Sequence, residues 1–275
     1  MFYYLRQLDQ LVLFRAAIEQ SVPFYHTRYN DGECLSMFRM MPVSATTSGE
    51  HHYTPEISKA LMATFTAIAQ ASKDTHVPAA IAVGTYCFDT RKHNALADIA
   101  AGKLKGLIDE LGVRGVIQWA ASDLWYSTEA EHLGTCIADE LLEFIEAIRK
   151  ASKTQRAFLV CNSKVSDACH CLGAEAITIP QRDAWTSSQE TMLVLERQLY
   201  AYPESIVVWC GGFPAKVWSW DLWRKYPGST HIDAGHLFDG AFSLNSRAWL
   251  QREKGAHWNF YQNVFIPYVK GYIHA

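Results

Sequence analysis

Short apolar runs alternate with longer segments of helical character from Pro78 onward. The runs cover residues 79 to 84, 115 to 120, 156 to 161, 175 to 180, 205 to 210 and 229 to 234. Strands that alternate with helical patterns are typical of βαβ units, in which successive strands are parallel. The pattern therefore predicts an α/β protein with a Rossmann-like, doubly wound, mostly parallel sheet.

The residues before Pro78 predict three further features. Four charged residues interrupt the apolar stretch at residues 1 to 20, which predicts an amphipathic helix and excludes a signal peptide core or a membrane span. Residues 22 to 30 predict an extended run, and residues 41 to 53 predict a long irregular section. No other apolar run reaches bilayer length, so we expect no transmembrane segment.

Three positions have the residues expected at a helix start. Thr128 precedes Glu131 by three residues, and Ser187 precedes Glu190 in the same way. At this spacing the two side chains bond backbone N–H groups that the first helical turn leaves without partners. Thr54, which precedes a proline, is a third predicted start.

The amino-acid composition, the net charge and the cysteine spacing exclude several classes of protein. The chain has 275 residues, of which 49% are hydrophobic, so it can bury a sizeable core, and we predict a single domain over residues 1–275. The formal net charge of -3 excludes a global positive field of the kind that binds nucleic acid backbones. Seven cysteines without CxxC spacing indicate neither a disulfide framework nor a zinc ribbon, which favours a reducing, cytoplasmic location.

Polar residues follow most of the predicted strands. In an open parallel sheet the ligand crevice lies beyond the carboxyl ends of the strands, so these residues are the main functional candidates. They are Asp31 and Glu33, Thr85 to Asp89, Ser122 to Trp125, Asn162 to Lys164, Gln181 to Trp185, Gly211 to Lys216, and Asp233 to His236.

Two carboxylates one residue apart, Asp31 and Glu33, flank a glycine that permits a tight, exposed turn. Mg²⁺ and Mn²⁺ prefer carboxylate and phosphate oxygens, and a metal that bridges a diphosphate neutralises charge on a leaving nucleotide. Arg28 is a potential phosphate or carboxylate partner beside this pair. A solvated surface turn without a ligand is the alternative interpretation.

A second candidate begins where a buried strand ends at Gly211 and Gly212, with a helix predicted to start around Pro214. Backbone N–H groups at such a helix start can bind phosphate, and Lys216 would add to the attraction. A tight turn without a ligand remains the alternative. The chain has neither the G-x-G-x-x-G fingerprint nor a Walker A sequence, so NAD and P-loop chemistry have no support.

A third candidate follows the last predicted strand, where Asp233, His236 and Asp239 lie close together in sequence. A histidine near carboxylates can act as a base, a metal ligand or a phosphate partner, although a structural histidine is the commoner case. The Cys-His-Cys run at 169 to 171 lies in a predicted helix and is assigned to structure. The histidine pair at 51 to 52 has no assigned role.

Together these segments resemble the GT-D type glycosyltransferases, a Rossmann-like family with an Arg-x-Gly-Asp-Gly-Glu stretch near the N-terminus. Arg28, Asp31 and Glu33 match that stretch, while Asn30 replaces the glycine before the aspartate. The resemblance covers roughly residues 22 to 40 and 156 to 240, with residues 41 to 155 unmatched. Three further segments match in family order: ITIPQRDAW, VVWCGGFPAKVWSWDL and HIDAGH.

The resemblance implies a metal-dependent hexosyltransferase that moves a sugar, expected to be glucose, from a UDP-sugar donor to an acceptor hydroxyl. It implies that Asp31 and Glu33 bind Mn²⁺ or Mg²⁺ and the donor diphosphate. Asp183 replaces the usual family asparagine, and the turn at Gly212 differs in spacing from the family turn. The donor-binding candidates, from the resemblance or from their place after a strand, are Arg28, Asn162, Lys164, Asp183, Trp185, Gly211, Gly212 and Lys216.

Attack by the acceptor hydroxyl would need a general base if the reaction inverts the configuration at the anomeric carbon. The candidates for this base are Asp233, His236 and Asp123. The sequence leaves three acceptor classes open: a glycan or glycoprotein, a small molecule, and a hydroxymethylated pyrimidine base in DNA. The DNA alternative depends on aromatic and polar groups at residues 51 to 55 and 119 to 127 that could hold an extruded base. A non-catalytic, Rossmann-like nucleotide-binding module is the alternative of a different class.

Overall fold

A computed structural model of the chain provides the structure. It describes residues 3–4, 7–29, 31–40, 46–47, 51–52, 54–73, 79–83, 95–112, 116–118, 130–242 and 261–273. The candidates at residues 85 to 89 and 119 to 127, including Asp123, lie outside this part of the chain, as do Thr128 and the side chain of Asp31. None of the helices in the described ranges is long and apolar enough to cross a bilayer.

Eight of the described strands form one sheet in which every pair of neighbours is parallel. They are β1 (Tyr3–Tyr4), β2 (Tyr25–Tyr29), β5 (Ala79–Val83), β6 (Val116–Gln118), β7 (Ala157–Asn162), β8 (Glu175–Ile179), β9 (Ile206–Cys210) and β10 (Thr230–Asp233). Two short strands, β3 (Thr46–Thr47) and β4 (His51–His52), pair antiparallel within the section predicted to be irregular.

Helices connect most of the strands. They are α1 (Gln7–Glu19), α2 (Asp31–Met37), α3 (Pro55–Ala71), α4 (Ala95–Leu111), α5 (Ala130–Ala151), α6 (Cys169–Leu172), α7 (Ala184–Ser187), α8 (Gln189–Ala201), α9 (Gly212–Lys225) and α10 (Ile266–Ile273). Two 3₁₀ helices, Ser163–Ala168 and Asp239–Phe242, and a π-helical turn, Tyr261–Phe265, complete the described elements.

The order of the strands places a topological switch point in the middle of the sheet. The order is β1-β6-β5-β2-β10-β9-β7-β8, so the chain leaves β2 toward β5 and β6 on one side and builds β7 to β10 on the other. Loops that leave two such neighbouring strands in opposite directions open a crevice at the carboxyl edge. That crevice lies beyond the ends of β2 and β10.

Helices cover both faces of the sheet because alternate strand residues point to opposite sides. In β7, Leu159 and Cys161 join the core layer that contains α1, α5 and α10. Phe158 and Val160 join the opposite layer, which contains α8 and α9. On that same face, residues of α3 and α4 pack with β2. The structure therefore confirms the predicted doubly wound, mostly parallel α/β fold.

Most of the predicted elements are observed, but two local predictions are wrong. Thr54 caps α3 as predicted, its hydroxyl accepting a hydrogen bond from the backbone N–H of Ile57. Ser187 does not cap a helix, because it is the last residue of α7 and Ser188 occupies the position before α8. Asp31 and Glu33 do not lie in an exposed turn, because α2 begins at Asp31.

Candidate active site

Lys216 lies at the centre of a buried network of charged side chains where β2 and β10 end. Its Nζ atom is 2.6 Å from Oδ2 of Asp233 and 3.4 Å from Oε1 of Glu33. Arg28 faces the same aspartate, with Nε 3.5 Å from Oδ1 and its backbone N–H donating to Oδ2 at 3.3 Å. We call these four residues, Arg28, Glu33, Lys216 and Asp233, the charged network.

All four side chains of the charged network are buried, Lys216 being only 1% exposed. The two carboxylates and two cations balance in charge, which offsets part of the large cost of removing them from water. Burial by itself would raise the pKa of Asp233, but the Lys216 ammonium and then the Arg28 guanidinium outweigh it and lower the pKa to about 2. Asp233 is therefore a carboxylate at any physiological pH.

The position of Lys216 follows from the packing of α9 against β2. The ring of Tyr25 meets the ring of Trp220 edge-on at 5.1 Å between centroids, and its hydroxyl lies 3.1 Å from Oγ of Ser219. These contacts hold the second half of α9 over the amino end of β2, so that the first half of the helix, with Lys216, extends toward the carboxyl end of the sheet. The chain thereby brings a lysine from α9 between carboxylates from α2 and β10.

Gly235 gives Arg28 the space that it occupies. The backbone of Gly235 has φ of +55°, a conformation that L side chains rarely adopt, and a Cβ atom there would overlap Nη2 of Arg28. A glycine two residues after the end of β10 thus lets the guanidinium lie against the backbone while it faces Asp233. The sequence contained this glycine, but its role depends on a contact with a residue more than 200 positions earlier.

A small cleft opens beside the charged network at the carboxyl ends of β7 to β10. Its cavity volume is about 30 Å³. The lining includes the start of α9, where Gly212 has φ of +63° and the N-cap residue, Gly211, has no side chain that could cap the helix. The lining residues are Asn162, Ile179, Pro180, Gln181, Cys210, Gly211, Gly212, Gly235, His236 and Asp239.

His236 is paired with Asp239 in this cleft. Nδ1 of His236 lies 2.7 Å from Oδ2 of Asp239, and both side chains are mostly buried. His236 follows β10 in a turn, and Asp239 begins the 3₁₀ helix Asp239–Phe242. Asp239 is visible in the sequence three residues after His236, but only the turn geometry shows that the two side chains meet.

Two indole rings, those of Trp185 and Trp218, stack on each other. The centroids of Trp185 and Trp218 are 6.0 Å apart, and the ring planes differ by 14°. Trp185 belongs to α7 and Trp218 to α9, and both side chains are partly exposed. The position of Trp185 after a predicted strand indicates it as a candidate, whereas no local pattern indicates Trp218, because the pairing depends on how two separate helices pack.

The remaining donor-binding candidates, Asn162, Lys164 and Asp183, do not belong to the charged network. Asn162 lines the cleft, and its Oδ1 accepts a hydrogen bond from the backbone N–H of Lys164, whose side chain is exposed. Asp183 is exposed before α7 and has a left-handed backbone with φ of +53°. The structure thus brings Arg28, Glu33, Lys216 and Asp233 into one network and leaves Lys164 and Asp183 at the surface.

Comparisons with known proteins add one likeness. The fold is similar to that of a glycosyltransferase (DUF1792) from Streptococcus sanguinis. The TM-score is 0.48 at 14% sequence identity, and the match covers 84% of this chain and 80% of that chain. No family model and no curated protein matches the sequence. At this identity and TM-score the likeness does not assign an activity.

Proposed function

We propose that the protein is a metal-dependent glycosyltransferase of the GT-D type that moves a sugar from a UDP-sugar donor to an acceptor hydroxyl. The observation that carries the proposal is the charged network at the topological switch point, directly beside a helix start whose N-cap residue is a glycine. Buried ion networks cost desolvation energy and are weak evidence for stability, so their place at a ligand crevice favours a functional role.

A diphosphate donor suits the charges and dipoles at this edge of the sheet. The first backbone N–H groups of α9 follow Gly211 and Gly212, which line the cleft and leave room for close approach. The positive end of the helix dipole stabilises phosphate at such a position. Lys216 would act on the donor through Glu33 and Asp233, because its ammonium contacts both carboxylates and is almost fully buried.

The carboxylates of Asp31 and Glu33 would hold the metal ion. Among the described side chains, no cluster of three or more histidine, cysteine, aspartate or glutamate residues forms a complete metal site. Mg²⁺ usually needs only one or two protein carboxylates when substrate phosphates supply further oxygens, so the short Asp-x-Glu pair fits a metal that enters with the donor. The metal would neutralise charge on the leaving diphosphate.

Trp185 and Trp218 would provide a flat apolar surface for part of the donor or acceptor. Sugars and bases both pack on aromatic rings, and the two indoles, which stack with planes 14° apart, are partly exposed. Asn162 and His236 add hydrogen-bonding groups on the cleft side. Charged groups would then face the diphosphate, and the rings would face the uncharged part of the ligand.

The acceptor we propose is a glycan or glycoprotein, or a hydroxymethylated pyrimidine base in DNA. A formal net charge of -3 favours a carbohydrate acceptor, because a DNA acceptor would need a local basic strip. A non-catalytic nucleotide-binding module is the alternative function. It would bind nucleotide in the same cleft without turnover.

A donor screen tests the proposal. The full chain would be incubated with UDP-sugars and Mn²⁺, with UDP release measured in the presence of glycan acceptors and of duplex DNA that contains hydroxymethylated bases. We expect acceptor-dependent UDP release that chelation abolishes. UDP binding by calorimetry without any release would support the non-catalytic module. Absence of both binding and release would contradict a nucleotide-sugar site.

A further inference from the structure

The pairing of His236 with Asp239 fixes which nitrogen of the imidazole carries hydrogen. Oδ2 of Asp239 lies 2.7 Å from Nδ1, a hydrogen-bond distance, and a carboxylate oxygen can only accept. Nδ1 must therefore be the donor, and in the neutral ring the lone pair lies on Nε2. A histidine oriented in this way has its basic nitrogen directed away from its carboxylate partner.

His236 and Asp239 lie in the cleft where an acceptor hydroxyl could be activated. Both residues line the cleft at the carboxyl ends of β9 and β10, together with the glycines at the start of α9. That helix start is the place we propose for the donor diphosphate. A base within the same cleft satisfies the geometric requirement for removing a proton from a hydroxyl that attacks the donor.

Asp233, the acidic candidate for the base among the described residues, is poorly suited to that role. Both oxygens of Asp233 face cations, since Oδ2 accepts from Lys216 at 2.6 Å and Oδ1 is 3.5 Å from Nε of Arg28. These cations overcome the effect of burial and hold the pKa of Asp233 near 2, too low for efficient proton removal at neutral pH. Asp233 belongs to the charged network that supports the site.

We propose that His236 is the general base of the reaction and that Asp239 is the residue that positions it. The inference rests on the proposed function. Nε2 of His236 takes the proton of the acceptor hydroxyl as that oxygen bonds to the anomeric carbon of the sugar. The bond from the anomeric carbon to the diphosphate oxygen breaks, and its electron pair leaves with the nucleotide diphosphate. Asp239 accepts a hydrogen bond from the Nδ1–H group throughout and stabilises the imidazolium that forms.

Turnover measurements separate a base from a structural residue. We expect His236→Gln to lower kcat about 10²- to 10⁴-fold while UDP affinity stays within about twofold of the wild type. Asp239→Asn should lower kcat about 10- to 100-fold, and Asp239→Glu, which keeps the carboxylate, should recover part of that loss. His170→Gln and Asp109→Asn change exposed residues outside the cleft and serve as matched controls.

Nitrogen NMR of the imidazole supplies a readout that does not depend on turnover. We expect His236 of the wild type to carry its hydrogen on Nδ1. In Asp239→Asn the amide can donate to Nδ1 instead, so the hydrogen should move to Nε2, as in other histidine and aspartate pairs. A wild-type His236 with its hydrogen on Nε2 would overturn the proposed dyad even if the enzyme is active.

The outcomes also separate this inference from the proposed function. If the wild type releases no UDP with any donor, the proposed function fails and the role of His236 as a base fails with it. If the wild type is active, chelation abolishes turnover, and His236→Gln and Asp239→Asn both turn over at the wild-type rate, only the dyad is refuted.

Discussion

The ammonium of Lys216 lies 2.6 Å from the carboxylate of Asp233 and is almost completely excluded from solvent. Lys216 comes from the first half of α9 and Asp233 from the last position of β10, so the ion pair joins a helix to the strand that follows it. Glu33, at 3.4 Å on the other side, links the pair to the Asp-x-Glu segment. The lysine therefore determines where both carboxylates point.

Replacing Lys216 with methionine should destabilise the protein strongly. The substitution keeps the length and apolar stem of the side chain but leaves the carboxylates of Glu33 and Asp233 buried with one cation fewer. Breaking a buried pair in this way costs about 3–5 kcal/mol in the free energy of unfolding. Chemical denaturation measures this loss, and Lys59→Met, at an exposed position of α3, is the matched control. A Lys216→Met protein as stable as the control would show that the ion pairs contribute nothing to stability.

Replacing Gly235 with alanine should disturb Arg28. The added Cβ would overlap the guanidinium, and alanine is strained at φ of +55°. We expect a loss of about 1–3 kcal/mol in stability, together with weaker UDP binding by calorimetry. Gly102→Ala, in the middle of α4 with open space around it, should be neutral or slightly stabilising. Equal behaviour of the two variants would contradict the contact between Gly235 and Arg28.

Two buried histidines should make the protein less stable as the pH falls below 6.5. Burial lowers the pKa of His26 and of His231 to about 3. Between pH 3 and 6.5 the unfolded chain therefore binds protons that the folded chain does not, and stability decreases by about 1.4 kcal/mol per pH unit for each histidine. The free energies of unfolding at pH 6.5 and pH 5 should differ by about 3 kcal/mol, because the unfolded histidines are already half protonated at pH 6.5.

The source of this pH dependence can be checked with a single variant. Nδ1 of His231 accepts a hydrogen bond from Nε1 of Trp209, a bond that the oxygen of glutamine can replace. His231→Gln should therefore reduce the slope of stability between pH 5 and 6.5 by about half. His170→Gln, at an exposed position, should leave the slope unchanged. A flat stability profile in the wild type would contradict burial of neutral histidines.

Glu146 should anchor the C-terminal helix α10 to α5. Arg149 contacts Oε2 at 2.6 Å, and the hydroxyls of Tyr268 and Tyr272 donate to Oε1 at 2.6 and 2.8 Å. The hydrogen bond from Arg149 outweighs burial, and with the tyrosines it lowers the pKa of Glu146 to about 2. This stabilisation is complete above about pH 4.5 and is lost as the pH falls toward 2.

The variant Glu146→Gln should therefore lose about 1–3 kcal/mol at neutral pH, with most of the effect in α10. Amide hydrogen exchange of residues 266 to 273 should accelerate more than exchange of the sheet strands. Glu110→Gln, at an exposed site on α4, is the matched control. Unchanged exchange in α10 would mean that its apolar contacts suffice to hold it.

The sequence predicted the sheet well because the positions of the strands depend mainly on short local runs of apolar residues. The apolar runs at 156 to 161 and 205 to 210 became β7 and β9 within one residue at each end. The charged network was only partly predictable. Its four residues were named as candidates. The pairing of Glu33 with Lys216, however, depends on the packing of α9 on β2, and no local sequence pattern predicts that packing.

The same limit explains the errors. A glycine between Asp31 and Glu33 indicated an exposed turn, yet α2 begins there and Glu33 is buried because Lys216 offers a buried cation. Ser187 and Glu190 have the spacing of a capping box, but a short helix ends at Ser187 and shifts the start of α8 by one residue. In both cases a tertiary contact or a neighbouring element overrides a short motif.

The most direct test of the central claim is the turnover of Asp31→Asn and Glu33→Gln, with unfolding measured on the same samples. Each substitution keeps the size of the side chain and removes the charge that a hard cation needs. Glu33→Gln should also lower stability, because Glu33 neutralises the buried Lys216. Asp109→Asn and Glu110→Gln, both exposed on α4, are the matched controls.

Both variants should remain folded at 25 °C and release UDP at least about 100-fold more slowly than the controls at saturating donor and Mn²⁺. Turnover within a few-fold of the wild type in both variants would contradict a metal-dependent glycosyltransferase centred on Asp31 and Glu33.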